Sequence, residues 1–395
     1  MASSTTHVRP FPHRRHSVSH RDCDFSAQGT YLTSNSASDI RPRTNGSNEP
    51  HFAYVTLLTT DAFLPGALVL HQSLCNAQSR YPLVVMCPSN KDPLPNDGSA
   101  QMKLSERSKD VLRKRGIQLV CVDELSPKQI CGDAAKEGWE ARFRDTWTKL
   151  RLFGLTDYQR VVLLDCDMVV RRNMDDLFEM SLGKDRIAAV HACTCNPRRF
   201  KHYPADWIPA NCAHSTLTDP ASAPITPAPS PLPDASSSHT HTHALLNSGL
   251  VVLNPSNSQL SELTDFLATS PLVSNFIFPD QDLLAHVYAG RWEALPWHYN
   301  ALRPMKWTHV HGEKVWKDGP EGDGLVSCVH YILGGKPWQV KRDEGEVGFK
   351  VVDGWWWTTF DQLGEEMTGG DNGGQAGTGI HDWEFVKELM PAFSM

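Results

Sequence analysis

The sequence predicts an α/β fold with a mostly parallel central sheet flanked by helices. Three observations carry this. Short apolar, β-rich runs alternate with helix-patterned segments between residues 52 and 122. A further apolar run, from Arg160 to Val170, holds Asp165 and Asp167 one residue apart. At 395 residues and 40% hydrophobic content, the chain is long enough to bury a sizeable core.

The elements follow in order. Phe52-Ala53-Tyr54-Val55-Thr56-Leu57-Leu58 reads as a strand from its β-branched and aromatic density, and the polar Thr59-Thr60-Asp61 ends it. Residues 65–77 have the apolar spacing of a helix, with Pro65 suited to its first turn. Pro82-Leu83-Val84-Val85-Met86-Cys87 is the next strand, 104–115 the next helix and Gln118-Leu119-Val120-Cys121-Val122 the third strand. Such alternation implies right-handed crossovers and a sheet covered on both faces. A helix over 147–155 leads into the Arg160 strand, and Asn173-Met174-Asp175-Asp176-Leu177-Phe178 reads as a short capped helix. The run 245–253 has the pattern of a strand with a close approach at Gly249, and 381–390 that of a final helix.

Composition sets the organisation and excludes several functions. Residues 1–50 are rich in Ser, His, Arg, Asn and Pro without periodicity and are expected to be disordered. The main domain is expected over 51–362, with a Pro/Ser/Thr/His insertion at 214–243, then a Gly-rich linker and short C-terminal helix over 363–395. His239, His241 and His243 alternate within the insertion and read as solvated loop. The net charge of −7, with acids and bases interspersed, gives no basic stripe for nucleic acid and points to small or neutral partners. No apolar run is long enough to span a bilayer, and the N-terminus lacks an apolar signal core. The ten cysteines are scattered through apparent core segments, as packing residues of a reducing compartment would be. A cytoplasmic location is therefore expected, and a homodimer is left open.

Asp165 and Asp167 are the candidate chemistry. In an extended segment alternate side chains share a face, so both carboxylates point the same way at the strand's end. A hard divalent cation carrying a phosphate ligand would offset their repulsion. From the residues alone a second reading stays open, in which Asp165 caps the strand and Asp167 is solvated.

The order of blocks resembles the family 8 retaining glycosyltransferases over roughly residues 52–345. The blocks are Val55-Thr56-Leu57-Leu58-Thr59-Thr60-Asp61-Ala62-Phe63 with Gly66-Ala67-Leu68-Val69-Leu70; Thr148-Lys149-Leu150; Asp165-Cys166-Asp167 with Asp175-Asp176-Leu177-Phe178; Asn247-Ser248-Gly249; Asp280-Gln281-Asp282-Leu283-Leu284; and Val329-His330-Tyr331 with Lys336-Pro337-Trp338. The resemblance implies a GT-A type nucleotide-diphospho-sugar transferase fold and a UDP-hexose donor. It implies a uridine pocket of Leu57, Thr59, Thr60 and Phe63, with Phe63 where a stacking aromatic is found. Lys149 lies beside the sugar phosphate or hexose, and Asn247, Asp280 and Gln281 bind the transferred hexose. Asp165, Asp167 and His330 hold Mn2+, with Mg2+ as the alternative, and Lys336 neutralises the departing diphosphate. In one departure, Leu333 stands three residues after His330 where the family often has glycine, with Gly334-Gly335 following. Gly334 is thus the implied phosphate contact, on a loop whose path is expected to differ.

No independently activated nucleophile is visible, so a front-face displacement is the preferred mechanism, with a covalent glycosyl intermediate on Asp280 as the alternative. Within the family, His191-Ala192-Cys193-Thr194-Cys195-Asn196-Pro197, Phe278-Pro279-Asp280-Gln281-Asp282 and Gly354-Trp355-Trp356-Trp357 look most like the galactinol synthases, which implies UDP-galactose before UDP-glucose and a small polyol such as myo-inositol, or a saccharide, as acceptor. A glycogenin-like primer protein is disfavoured because no tyrosine lies between Tyr299-Asn300 and His330. A non-catalytic UDP-sugar-binding protein is the other alternative, against which the intact site residues argue. Cys193, Cys195, Cys212 and His214 have zinc-ligand chemistry. The Cys-x-Cys spacing is unusual for zinc and the resemblance assigns this segment to the acceptor side, so no zinc is expected. Trp355, Trp356 and Trp357 read first as core packing, with a sugar-stacking platform or membrane-facing patch as the other options.

Overall fold

The computed structural model describes residues 51–89, 104–125, 144–216, 228–229, 242–309, 316, 324–342, 344–369 and 378–393. Strand β1 (Phe52–Leu57) pairs in parallel with β2 (Leu83–Pro88) and with β4 (Arg160–Leu164), and β2 pairs in parallel with β3 (Gln118–Val122). Helices α1 (Leu64–Asn76) and α2 (Glu106–Lys114) make the crossovers β1 to β2 and β2 to β3. Pro65 sits in the first turn of α1, and the Ser105 hydroxyl caps α2 by accepting from the Ser108 N–H.

Beyond β4 the sheet mixes direction. Strand β5 (Met168–Val170) leaves it, while β6 (Ile187–His191), the two-residue β7 (Ala228–Pro229), β8 (Leu246–Leu253) and β9 (Trp292–Ala294) complete the order β3-β2-β1-β4-β8-β6-β9-β7. Strand β8 is antiparallel to β4 and β6, and β6 runs parallel to β9. A small second sheet joins β5 to β10 (Ala301–Leu302) and β11 (Cys328–His330). The expected mostly parallel α/β sheet is thus present, with β8 as its principal antiparallel member.

Period-two alternation assigns each strand residue to one of two cores. Ala53, Val55, Val161 and Leu163 face one layer, with Trp147, Leu150 and Phe153 of the 3-10 helix Arg144–Gly154 and with Leu263, Leu283 and Leu284. Tyr54, Val162 and Leu164 face the other, with α1, α2 and the C-terminal tryptophans. Strands buried on both faces need apolar residues at nearly every position, which is why β1 and β4 read as continuous runs rather than alternating ones.

Three expectations are corrected. The run from Arg160 to Val170 is two strands in different sheets, so Asp165 and Asp167 lie on the turn between them instead of sharing one extended face. Residues at the ends of the expected exposed insertion belong to the fold: Thr242 is buried and donates to the Asn211 carbonyl, and His214 is buried too. The rest of that insertion, 217–227 and 230–241, and residues 1–50 lie outside the described residues. In chain order the helices after α2 are α3 (Asp176–Glu179), α4 (Asn257–Thr269), α5 (Pro279–Val287), α6 (Met305–Thr308), α7 (Lys350–Gly369) and α8 (Thr378–Glu388). Helix α7 runs unbroken through the expected boundary at 362/363, so 363–369 are helix rather than linker. Its glycine at 364 is needed there, because a Cβ would stand 2.6 Å from the Trp383 ring of α8.

The three consecutive tryptophans are core. Trp355, Trp356 and Trp357 are all buried, with Trp356 stacked on Phe360 and tilted 5.5 Å from Trp338. Helix α7 therefore backs the loop that carries Lys336. Among the described residues no helix is long and apolar enough to cross a membrane.

Candidate active site

The turn between β4 and β5 puts Asp165 and Asp167 over the strand ends. It is held from two sides: the Asp165 N–H donates to the Gly249 carbonyl of β8 and the Tyr331 N–H to the Asp167 carbonyl, at 2.9 and 2.8 Å. Cys166 points the other way, its thiol donating to the Leu57 carbonyl at 3.0 Å. Burial, then the neighbouring Asp165 and Asp167 charges, push that thiol up to about 12, so it is a neutral packing group and not a ligand.

His330 reaches the carboxylates because β11 pairs with β5 in the register His330↔Met168. Its Nε2 is 3.2 Å from Asp167 Oδ1 and 3.7 Å from Asp165 Oδ2, and one ligand atom from each residue falls within 4.8 Å of the others. The imidazole lies against Gly249: a Cβ there would stand 2.3 Å from His330 Cε1 and 2.6 Å from Nδ1. Gly249 is required here for close approach, not for backbone freedom.

A hydrogen-bond chain settles which ring nitrogen carries the proton. The Gly249 N–H donates to Asn247 Oδ1, which fixes that oxygen as acceptor. Asn300 Nδ2 donates to the same oxygen at 2.7 Å, leaving Asn300 Oδ1 to accept from His330 Nδ1 at 3.0 Å. Nε2 is then the ring nitrogen that faces the two carboxylates. An oxygen, oxygen, nitrogen set of this kind fits a divalent cation such as Mn2+ or Mg2+.

Two lysines complete the charge balance. Lys149, from the 3-10 helix, pairs with Asp165 at 2.7 Å and with Asp280, in the first turn of α5, at 3.1 Å. Burial lowers its pKa, but Asp165 and then Asp280 more than reverse that, and the ammonium is held well above the usual lysine range. Lys336 pairs with Asp167 and donates to the Tyr331 carbonyl. Burial raises the Asp167 carboxyl, yet Lys336 and His330 outweigh it and keep the group well below the usual carboxylate range. Gln281 Oε1 accepts from Asn247 Nδ2 at 3.3 Å, so the predicted hexose residues Asn247, Asp280 and Gln281 stand together beside the acidic turn.

The predicted uridine residues are less fully joined. Leu57 ends β1 above Cys166, Thr59 and Thr60 form the following turn, and Phe63 packs edge-on against Trp338 at 5.8 Å. Gly334 is exposed, and its carbonyl, like those of Ile332 and Gly335, accepts from the buried Arg303 guanidinium. Three positions after His330 the loop has a left-handed residue, Leu333, with φ of 73°. Leucine is strained in this conformation, which glycine adopts freely.

Sequence reasoning missed Asn300 and Arg303. Asn300 lies in an aromatic stretch with no motif, and only its neighbourhood to Asn247 and His330 gives it a role. Arg303 reads as an ordinary basic residue until its burial, its ion pair with Asp353 at 3.2 Å and its stacking on Phe349 are seen.

Fold and site together define an α/β protein with a lysine-flanked carboxylate–imidazole cluster at its strand ends that could hold a metal ion. The chain belongs to glycosyl transferase family 8, whose sequence profile matches residues 54–341; that family implies a sugar-nucleotide donor and a divalent metal. An uncharacterized protein of Acanthamoeba polyphaga mimivirus, R707, is 26% identical over 291 residues, 73% of this chain and 82% of its own. Galactinol synthase 4 of Arabidopsis thaliana is 26% identical over 316 residues, 78% of this chain and 80% of its own. Among solved structures, the galactosyltransferase LgtC in complex with donor and acceptor sugar analogs overlaps with a TM-score of 0.46 at 14% identity, covering 78% of this chain and 96% of that one.

Proposed function

We propose that this protein is a metal-dependent retaining hexosyltransferase. It moves a hexose from a UDP-sugar, UDP-galactose in preference to UDP-glucose, to a hydroxyl of a small polyol such as myo-inositol. The observation that carries the chemistry is the Asp165, Asp167 and His330 cluster with its imidazole tautomer set by Asn300 and Asn247. The polyol acceptor rests on relatives named galactinol synthase at 24–27% identity.

When bound, a divalent cation on Asp165, Asp167 and His330 would supply Lewis-acid stabilisation of the charge growing on the departing diphosphate. Lys336 adds positive charge at the same carboxylate, and as a flexible point charge it can serve a phosphate oxygen as readily. Asn247, Asp280 and Gln281 orient the hexose through its hydroxyls. Lys149 holds the Asp280 carboxylate in an ion pair, which lowers its reactivity as a nucleophile and favours the front-face route over a covalent intermediate. In that route the bond from the anomeric carbon to the diphosphate oxygen breaks while the acceptor oxygen bonds on the same face, and the acceptor proton passes to the departing diphosphate. A primer role is disfavoured further by Tyr299, which is buried and donates its hydroxyl to Asp176.

The test is incubation with UDP-galactose or UDP-glucose and a panel of polyols and saccharides, read by mass spectrometry with and without Mn2+. A Mn2+-dependent hexosyl-inositol product is expected. Product only with a saccharide would overturn the polyol assignment, and a hexose mass increase on the protein itself would restore the primer reading.

A further inference from the structure

Outside the acidic site, three thiols and an imidazole converge on a second point. Cys193 and Cys195 follow β6, Cys212 closes the short 3-10 turn Pro209–Asn211, and His309 closes α6, 97 residues beyond Cys212. His309 Nε2 lies 3.3 Å from Cys193 Sγ, 3.0 Å from Cys195 Sγ and 3.5 Å from Cys212 Sγ, and all four atoms fall within 4.8 Å of one another. Cys195 and Cys212 are buried, and Cys193, Cys195 and Cys212 are not in disulfides.

We propose that Cys193, Cys195, Cys212 and His309 bind a structural zinc ion. A tetrahedral ion with Zn–S near 2.3 Å and Zn–N near 2.0–2.1 Å requires sulfur and nitrogen about 3.5 Å apart and sulfurs about 3.8 Å apart. The observed sulfur-to-nitrogen separations, 3.0 to 3.5 Å, are close to that, and the sulfurs lie within 4.8 Å of one another. Thiols that serve only as apolar packing have no reason to aim at one imidazole nitrogen lone pair. With three thiolates and a histidine the set is complete, leaving no position for water or substrate, which marks a structural site.

The expectation of no zinc here is revised, and the histidine with zinc-ligand chemistry in the sequence, His214, is not part of the site. Its Nε2 is committed to the His191 carbonyl at 2.9 Å, and its ring sits behind His309 at 5.6 Å. The segment between Cys195 and Cys212 gives the zinc a purpose. Trp207 from that segment stacks on Phe278 at 5.3 Å, immediately before the α5 turn that carries Asp280. A metal clamping both ends of the segment to α6 would hold this cover over the hexose side of the site. Short loops with little core of their own gain most from such a cross-link.

The test is metal analysis of the full-length protein after exhaustive dialysis, by plasma mass spectrometry. About one zinc ion per chain is expected, retained in Asp167→Ala and lost in Cys212→Ala. Cys212 is buried, so a second measurement that needs no cysteine variant uses folded Asp167→Ala protein stripped with a chelator and refilled with Co2+. The intense visible bands of tetrahedral cobalt thiolate are expected, and their absence overturns the site. Zinc that leaves with Asp167→Ala but persists in Cys212→Ala, or a disulfide among these three cysteines found by alkylation and intact mass, overturns it equally.

Discussion

Asp165, Asp167 and His330 offer two hard oxygens and one nitrogen, with Lys149 and Lys336 against the carboxylates. Cys193, Cys195, Cys212 and His309 offer three soft sulfurs and one nitrogen. The first set is incomplete by itself, since cations such as Mn2+ and Mg2+ take about six ligands and phosphate oxygens can fill the remainder. The second closes a tetrahedron from protein alone. The difference teaches how one β/α scaffold separates tasks: the turn at the strand ends keeps coordination positions for a ligand, while a loop beyond the sheet uses up all of its own.

The sharpest way to break this comparison is Asp167→Ala. It should lower kcat by about 10^3-fold or more, as expected when a principal charge-stabilising group is removed, while the zinc content stays unchanged. Turnover at the normal rate would sink the metal assignment. Next comes Gly249→Ala, whose Cβ has no room beside the imidazole and must push His330 off the carboxylates. A loss of about 10^2-fold in kcat/KM is expected, with weakened Mn2+ binding by titration calorimetry and intact folding by circular dichroism. Asn300→Ala releases the ring without displacing it, so Mn2+ affinity should fall by about 10- to 100-fold and little else should change.

Acid stability separates both clusters from the rest of the core. His71 and His298 are held neutral by burial, each with its pKa lowered from 6.5 to about 4. Between those values the unfolded chain binds more protons than the folded one, so stability falls as pH drops from 6.5 toward 4. Thermal melts over that range should show the decline, and His71→Gln should flatten it; an unchanged slope in the variant would assign the sensitivity elsewhere. The smallest effect is at Leu333, whose left-handed backbone costs about 1–2 kcal/mol. Leu333→Gly should stabilise by about 1 kcal/mol or less after the entropy of the added glycine, measured by urea unfolding, whereas Leu333→Val should destabilise.

Much of the fold is legible because strands such as Ala53 to Val55 and Val161 to Leu164 are buried on both faces and therefore apolar throughout, with helix-spaced segments between them. Boundaries read less well. Asp165-Cys166-Asp167 interrupts the apolar run, but nothing in it shows that β4 and β5 belong to different sheets, which is decided by pairing with β8 and β11. The linker reading of 364–369 failed for a similar reason, since its glycine answers to a tryptophan ring from α8.

The alternating sheet and the strand-end position of Asp165 and Asp167 are legible in the residues themselves, and the resemblance to family 8 implied the partnership of those two with Lys149, Asn247, Asp280, Gln281, His330 and Lys336. These follow from local periodicity and from chemistry that needs particular side chains in a fixed order. Only the tertiary structure decided that Asn300 orients His330, that Arg303 gathers the carbonyls of the Lys336 loop, and that His309 rather than His214 faces the three thiols. Those choices depend on which side chains meet across long stretches of chain, and a contact of that kind leaves no trace in the residues on either side of it.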